Sequence, residues 1–445
     1  MFNPRPFVTF SAVLLAGWAS HVSAGPAPAA ADHLDQAYAK AYALYVDLHQ
    51  HPELSGAETQ TAAKVAGALR DLGYSVTEHV GGTGVVAILE NGPGKTILLR
   101  TELDALPIEE KTGLPFASHV HAKDPAGRDV AVGHMCGHDL HMSALVATAT
   151  IMARTRDTWH GTLMLIGQPA EETITGAESM LHDGLFTRFP RPDTVLALHV
   201  TSNLPAGQVG VVSGTYSSSA DSLRITLFGR GGHGAMPQTT VDSVVLAARV
   251  TLALQTIVAR EIQPGTFAVV TVGYLNAGTK NNVIPDSAEL GLSVRAYQPD
   301  VRRHLLEAIG RIANAEAQAA GAPKAPLIEH YEATNAVNND PTLAARAESV
   351  LKAALGADEV VKHEPITASD DFSAFTEQGV PGLYLTLGGA DPEKLREARA
   401  AGSSLPSNHS PLFAPDVEPA LRTAIRIEVA LLRDLLGSAA PAPHR

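Results

Sequence analysis

Gly133-His134-Met135-Cys136-Gly137-His138-Asp139-Leu140-His141 sets the only cysteine of the chain among three histidines and an aspartate. Soft thiolate, borderline imidazole and hard carboxylate in one short window are the donors a first-row transition metal selects, zinc above all. The residues that follow, 142–154, are rich in Ala, Leu, Val and Met and predict a buried helix. Asp139 suits its N-cap. Cys136 and His138 then stand just before a helix N-terminus, where the positive end of the dipole favours thiolate over thiol. A lone cysteine in an apolar chain is more often packing than ligand. Three crowded histidines weigh the other way, because each needs a polar partner if buried. The stretch is still only half a site, and other segments must supply the remaining ligands.

Upstream, 85–89 and 96–100 are short apolar runs bounded by glycine, which predicts buried strands. The second runs into Thr101-Glu102-Leu103-Asp104-Ala105-Leu106-Pro107. Carboxylates at the carboxyl end of a strand stand where open α/β sheets carry their chemistry, although acidic residues there also cap helices. Farther upstream, 35–51 closed by Pro52 and 58–72 closed by Gly73 read as helices. Downstream, 162–167 predicts a strand ending in Gln168-Pro169-Ala170-Glu171-Glu172. Adjacent glutamates aimed differently can divide the work, one holding a metal and the other acting as general base. In isolation a solvated helix start explains them equally well. The run 194–198 ends in His199, again at a predicted carboxyl end. Strands alternating with helices indicate an α/β domain with a parallel or mixed sheet covered on both faces.

The pattern changes near Gly214. Residues 222–228 alternate apolar and polar, as a half-exposed antiparallel strand does. Gly229-Arg230-Gly231-Gly232-His233-Gly234 follows, then a helix over 241–260, strands over 267–275 and 288–295, a helix over 301–320 and a strand over 327–331. This is an α+β insert with a four-stranded sheet and two helices. The first domain resumes with a helix over 341–355, Asp370-Asp371-Phe372, a strand over 382–387, the loop Ser407-Asn408-His409-Ser410-Pro411 and a helix over 418–436. The expected division is 1–24 as a signal peptide, 33–214 and 332–438 as the catalytic domain, and 215–331 as the insert.

Composition narrows the partners. A net charge of -13 with no basic run argues against nucleic acid or an anionic membrane surface. Hydrophobic content of 45% and charged content of 18% fit a core-forming globular chain, and one cysteine excludes an internal disulfide. At the N-terminus Arg5, the apolar run 7–18 and Val22-Ser23-Ala24 read as a signal peptide. That predicts export, periplasmic or secreted. The run is too short to span a bilayer, and nothing later is expected to reach that length, so no stable membrane anchor is expected.

The candidates Glu102, Asp104, Cys136, His138, Glu171, Glu172, His199 and His409 all lie outside the insert. They are numerous enough for two metals about 3.5–4 Å apart, which need five or more protein ligands. The chemistry would be hydrolysis, with a carboxylate carrying a water's proton to the leaving nitrogen.

The segment 99–109, Cys136 to His141, Gly167 to Glu172, Ala197 to Val200, Gly229 to Pro237, Asn281 to Asp286 with Ser293 to Arg295 after it, and Asn408 to Pro411 together resemble the M20 metallopeptidase family. The nearest likeness is its amidohydrolase branch, which hydrolyses N-acyl, hippurate-like and indole-acetyl amino acids. The resemblance implies two divalent metals, zinc first with manganese, cobalt or nickel as alternatives. It implies Cys136 as a bridging ligand where other branches use aspartate, and His138, Glu172, His199 and His409 as the remaining ligands. Glu171 would be the general base, and Asp104 a group orienting a ligand. The insert would be a lid that also makes a homodimer. From it His233 would assist at the scissile carbonyl, in some members from the partner subunit. Asn282 and Arg295 would hold substrate, Arg295 by its bidentate fit to a carboxylate. In isolation His233 is a histidine in a glycine-rich turn and Arg295 an exposed strand residue.

Glu102 stands where this branch has Asp and is left out of the ligand set, and Asp370 replaces a Glu. The segment 390–406 is longer and more polar than the resemblance leads one to expect, and is expected to shape the pocket beside His409. The leading expectation is hydrolysis of small N-acyl or N-aroyl amino acids. A dipeptidase or carboxypeptidase of the same family is the alternative. A non-catalytic binding protein on this fold would lack a ligand or the base, and none is missing.

Overall fold

The computed structural model describes residues 28–437, so the signal-peptide reading over 1–24 lies outside the described residues. Strands β1 (Ser75–Val80), β2 (Gly84–Asn91), β3 (Thr96–Glu102), β4 (Gly161–Gln168), β5 (Thr194–Pro205) and β6 (Val209–Val211) open one sheet. The insert then contributes β7 (Ser219–Phe228), β8 (Ala268–Ala277), β9 (Ser287–Ala296) and β10 (Leu327–Thr334). The chain returns with β11 (Val360–Lys362) and β12 (Gly382–Ala390). The first sheet is eight-stranded and mixed, in the order β1-β2-β4-β3-β5-β12-β6-β11.

Its centre, β4-β3-β5-β12, is parallel throughout. A parallel strand covered by helices on both faces reads as one apolar run, and all nine residues of β12 are buried. Such runs were visible in sequence. The antiparallel margin β1, with a single buried residue, and the three-residue β6 and β11 were not.

Helices α1 (Pro28–Gln50), α2 (Thr59–Asp71), α3 (His138–Arg154), α6 (Pro341–Leu355) and α7 (Val417–Leu436) belong to this unit, while α4 (Ser243–Thr256) and α5 (Pro299–Ala319) belong to the insert. α3 packs against α1, α7 and β3, which is why residues on all its faces are apolar and buried. Its N-cap is Gly137, not Asp139. Gly137 has φ 94°, and a Cβ there would lie 2.4 Å from Val200 Cγ1, so only glycine serves. Asp139 lies inside the first turn, and its side chain goes to His49 Nδ1 at 2.7 Å.

The insert sheet, ordered β8-β9-β7-β10, is antiparallel. Leu223, Ile225 and Leu227 alternate along β7 toward a core shared with α4 and α5. The expectation that no later segment reaches membrane-spanning length is not met on length and overall composition, since the helical stretch Ser243–Glu261 has 19 residues and is mostly apolar, Arg249, Arg260 and Glu261 apart. One face of it, Leu246, Ala247, Val250 and Leu254, is buried in the insert core; Val245 and Leu252 are exposed.

Candidate active site

The parallel strands deliver the candidates to one end of the sheet. β3 stops at Glu102 and β4 at Gln168, so Asp104, Glu171 and Glu172 stand just beyond two carboxyl ends. His199 differs from expectation, because β5 continues to Pro205 and the histidine sits inside the strand. His409 comes from the loop before α7 and is the only half-exposed member, at 53% of its side chain.

Five donors form two sets that share Cys136. In one, Cys136, His138 and His199 bring their ligand atoms within 4.8 Å of one another; in the other, Cys136, Glu172 and His409 do so. Cys136 Sγ is 3.3 Å from His199 Nε2, and His409 Nε2 is 3.3 Å from Glu172 Oε1. Two buried atoms in these sets, His138 Nε2 and Glu172 Oε1, have no hydrogen-bond partner among the described residues. Orphaned buried polar atoms are costly, and here both point among thiol, imidazole and carboxylate. The residues therefore fit two divalent metals, with Cys136 common to both donor sets. Glu171 approaches the same place, with Oε2 3.9 Å from His138 Nε2, and makes no hydrogen bond to a neighbouring side chain.

Supporting contacts fix this set. His138 Nδ1 is 2.8 Å from the main-chain oxygen of Asp104, which assigns the proton to Nδ1 and leaves Nε2 free to ligate. The Asp104 carboxylate accepts from Ser55 at 2.6 Å and from the Glu172 backbone N–H at 3.0 Å. Asp104 thus orients His138 through its main chain and Glu172 through its side chain. Three of the four non-glycine residues at positive φ among the described residues, Ala170, Ile174 and His409, flank or carry site groups. Backbone strain of this kind persists where surrounding contacts over-determine it.

Below the site lies a buried charged network that sequence reasoning did not assemble. Arg100 contacts Glu102, Asp370 and Asp371, and Tyr384 donates to Asp370 at 2.6 Å. Glu102 also accepts from His141 Nδ1 at 2.9 Å, while His141 Nε2 accepts the Val200 N–H at 2.9 Å. Glu102 is therefore occupied by Arg100 and His141 and stays outside the ligand set, as expected. His141 lay in the opening stretch, three residues after His138, and its spacing was the available signal. The Arg100 pairings with Asp370 and Asp371 span some 270 residues and left none.

Burial and the carboxylates of Glu172 and Glu171 push the Cys136 thiol well above its usual range. The helix dipole does not overcome them, contrary to expectation; a bound metal would, because coordination deprotonates a thiol outright. Burial, then Asp370, Glu172 and Asp371, push Glu171 well up as well. Burial opposes charge on His138, yet hydrogen bonding to Asp104 with Glu102 nearby holds it up at about 10.

Cys136, Glu171, Glu172, His199, Asn408 and His409 line a cavity of about 640 Å³. Arg295 lines it from β9, with Ser293 and Ser222 of the insert sheet. Its guanidinium donates to Ser369 Oγ at 3.2 Å and Thr367 O at 3.4 Å and meets no carboxylate among the described residues. His233 and Asn282 are exposed and do not line this cavity. They adjoin each other elsewhere on the insert, where Gly234 N–H donates to Asn282 O at 2.9 Å. The segment 390–406 does not line the cavity either. It forms a helix, Pro392–Ala400, N-capped by Asp391, and the cavity wall begins after it at Ser407.

The profile of peptidase family M20/M25/M40 matches residues 98–401. Among curated proteins, thermostable carboxypeptidase 1 of Saccharolobus solfataricus is 33% identical over 374 residues, 83% of this chain and 88% of that one. Hippurate hydrolase of Campylobacter jejuni is 38% identical over 335 residues, 74% of this chain and 83% of that one. Among solved structures, a dinuclear metal-binding M20 peptidase of Bacillus subtilis superposes with a TM-score of 0.73 at 29% identity, covering 90% of this chain and 99% of that one.

Proposed function

The chain belongs to peptidase family M20/M25/M40, in its amidohydrolase branch, and from that premise we propose that it cleaves N-acyl or N-aroyl amino acids at the amide bond. The observation that carries the reading is Arg295. A guanidinium with no carboxylate partner among the described residues shares one cavity with four of the five donor residues, Cys136, Glu172, His199 and His409, and with Glu171. Arg suits a free carboxylate by its two-pronged geometry, and an N-acyl amino acid presents that group a few bonds from the scissile amide.

In this reading Cys136, His138, Glu172, His199 and His409 hold two divalent cations, zinc by preference of the thiolate and imidazoles. The cations would supply Lewis acidity toward the carbonyl and toward water. Glu171 takes a proton from the attacking water and delivers it to the leaving nitrogen. Its carboxylate suits that task because no hydrogen bond fixes it elsewhere. Asp104 keeps the His138 tautomer, and Arg295 anchors the substrate carboxylate so that the amide faces Glu171.

His233 and Asn282 are assigned to the site of a second copy. Their distance from the cavity of their own chain supports supply in trans, with the exposed Val245 and Leu252 of α4 inside the contact between inserts. Sedimentation would read a dimer; a monomer at working concentration with full activity would remove these two residues from the reaction. Export rests on the N-terminal stretch 1–24 and is tested by fractionating cells that make the full chain.

The carboxypeptidase relative favours a second reading, cleavage of peptides beside a free carboxylate. Metal analysis of the purified protein, with a panel of hippurate and N-acetyl amino acids against dipeptides, separates the two. The acylase reading expects about two metals per chain and turnover of blocked substrates. Preference for a free α-amine would hand the site to the peptidase reading, and metal-free yet active protein would end both.

A further inference from the structure

Resting on the N-acyl amino acid reading, we propose that Glu332 makes the pocket selective for substrates whose amino-acid portion carries a cationic side chain, of lysine or arginine type. The argument begins with register. Along β10, residues 327, 328, 329 and 330 oppose Thr226, Ile225, Arg224 and Leu223 of β7 one for one. The pairing then slips: Ser222 opposes Glu332, and Tyr331 is the extra residue of a bulge. Opposed residues share a face of a sheet, and one inserted residue reverses which face the following side chains take. Without the bulge Glu332 would lie on the face of Leu223 and Ile225, against the insert core. With it, Glu332 joins Ser222, Ser293 and Arg295 on the cavity wall.

Among the described residues nothing neutralises the carboxylate so delivered. Arg224, the neighbouring cation on β7, lies instead beside Glu289 and Glu329, 3.7 and 3.9 Å away. No basic side chain pairs with Glu332 among the described residues, and Arg295 is the only Lys or Arg among the cavity residues. The wall that the insert contributes to the cavity therefore has one fixed cation, Arg295, and, across β7 from it, one fixed anion, Glu332.

Arg295 opposes Ala220 on β7, and Ala220 opposes Thr334 on β10; Glu332 lies two residues from Thr334 on that strand. Two strand spacings and one residue pair put the two α-carbons roughly 12 Å apart. Long side chains reaching inward from both shorten that gap toward the roughly 6–7 Å between the α-carboxylate and the terminal cation of an extended lysine or arginine, by standard bond lengths. The carboxylate of one amino acid would meet Arg295 while its own cation meets Glu332. A wall of opposite charges also rejects substrates with an acidic side chain, because like charges brought together in a cavity cost affinity.

The test uses the metal-loaded full-length protein and two matched pairs: N-acetyl-arginine against its neutral near-isostere N-acetyl-citrulline, and N-acetyl-lysine against N-acetyl-norleucine, which lacks the terminal amine. The wild type should favour the charged member of each pair by about tenfold or more in kcat/KM. Glu332→Gln should bring that ratio to about one, and Glu332→Lys should turn it toward N-acetyl-glutamate. A wild-type ratio near one, or the same ratio in Glu332→Gln, overturns the proposal. Calorimetry with free arginine and citrulline requires no turnover and separates the two claims. Charge-selective binding that depends on Glu332, without hydrolysis of any blocked amino acid, would keep the selectivity and sink the substrate reading. Turnover with no charge dependence would do the reverse.

Discussion

The side-chain amide of Asn408 holds Cys136 by its main-chain oxygen, donating at 2.9 Å, and reaches Val200 O at 3.0 Å with the same nitrogen. One amide thereby ties the cysteine loop to the strand next to His199, from the residue just before His409. The His409 N–H closes the arrangement on Met135 O at 2.8 Å. Three segments that carry candidate ligands, distant in sequence, are held together by groups outside both donor sets. Asn408→Ala should weaken metal binding about 10–100-fold, the usual effect of removing an outer support. Asn408→Asp should behave alike, because a carboxylate cannot donate to two carbonyls. Competition with a graded chelator reads the affinity; an unchanged value in both variants would assign Asn408 to loop stability alone.

Cys136 belongs to both donor sets, so replacing it should affect both metals together. Cys136→Ser exchanges a soft, anionic bridge for a weakly acidic hydroxyl and should lower metal content from about two per chain toward one or none. Cys136→Asp keeps an anion of bridging shape and should hold part of the metal. Elemental analysis after dialysis decides. Equal content in all three proteins would make the cysteine a packing residue.

Glu171 belongs to neither set that contains Cys136, although it clusters with His138 and Glu172; unlike Glu172, which has His409 at 3.3 Å, it meets no histidine beyond His138 at 3.9 Å. Glu171→Gln keeps the shape and removes the base. It should retain metal and lose about 10²–10⁴-fold in kcat, with KM little moved because binding falls to Arg295. Hydrolysis at wild-type rate would falsify the assignment.

Much of this centre was legible because its chemistry is written in local stretches. Glu171, Glu172 and His199 follow or interrupt apolar runs, and apolar runs are what parallel strands leave in a sequence; Cys136 and His138 crowd together at the start of a long apolar helix. Local signals do not carry pairing between distant strands. Arg100, beside Glu102 on its own strand, looks like an anomaly in a buried strand until the fold brings Asp370 and Asp371 to it. Gly137 took the cap that Asp139 seemed to claim, because Val200 leaves no room for a Cβ there. The inward turn of Glu332 depends on one unpaired residue in a register, and no periodicity reveals that before the strands are paired.

Buried acids with no cation beside them set the pH dependence of stability, and Glu428 is the clear case. It sits on α7 at 4% exposure, beside Leu99, Leu196, Leu198, Leu383 and Leu385, and accepts from Thr148 Oγ1 at 2.6 Å. Burial pushes its carboxyl from 4.5 up to about 8, against the pull of the Thr148 hydrogen bond, with Glu102 adding to the rise. The folded value lies above the unfolded one, so the fold holds a proton that the unfolded chain releases. Its contribution to stability is full below about pH 4.5, is lost as pH rises to about 8, and is level beyond. At about 1.4 kcal/mol per unit, the loss approaches roughly 4–5 kcal/mol above pH 8 and is on the order of 3 kcal/mol at pH 7. Glu428→Gln keeps an acceptor for Thr148 and has no proton to lose. The variant should match the wild type near pH 4.5 and exceed it increasingly toward pH 8, by several kcal/mol in urea unfolding. Two curves that run parallel across that range would mean that the folded protein already carries Glu428 ionised.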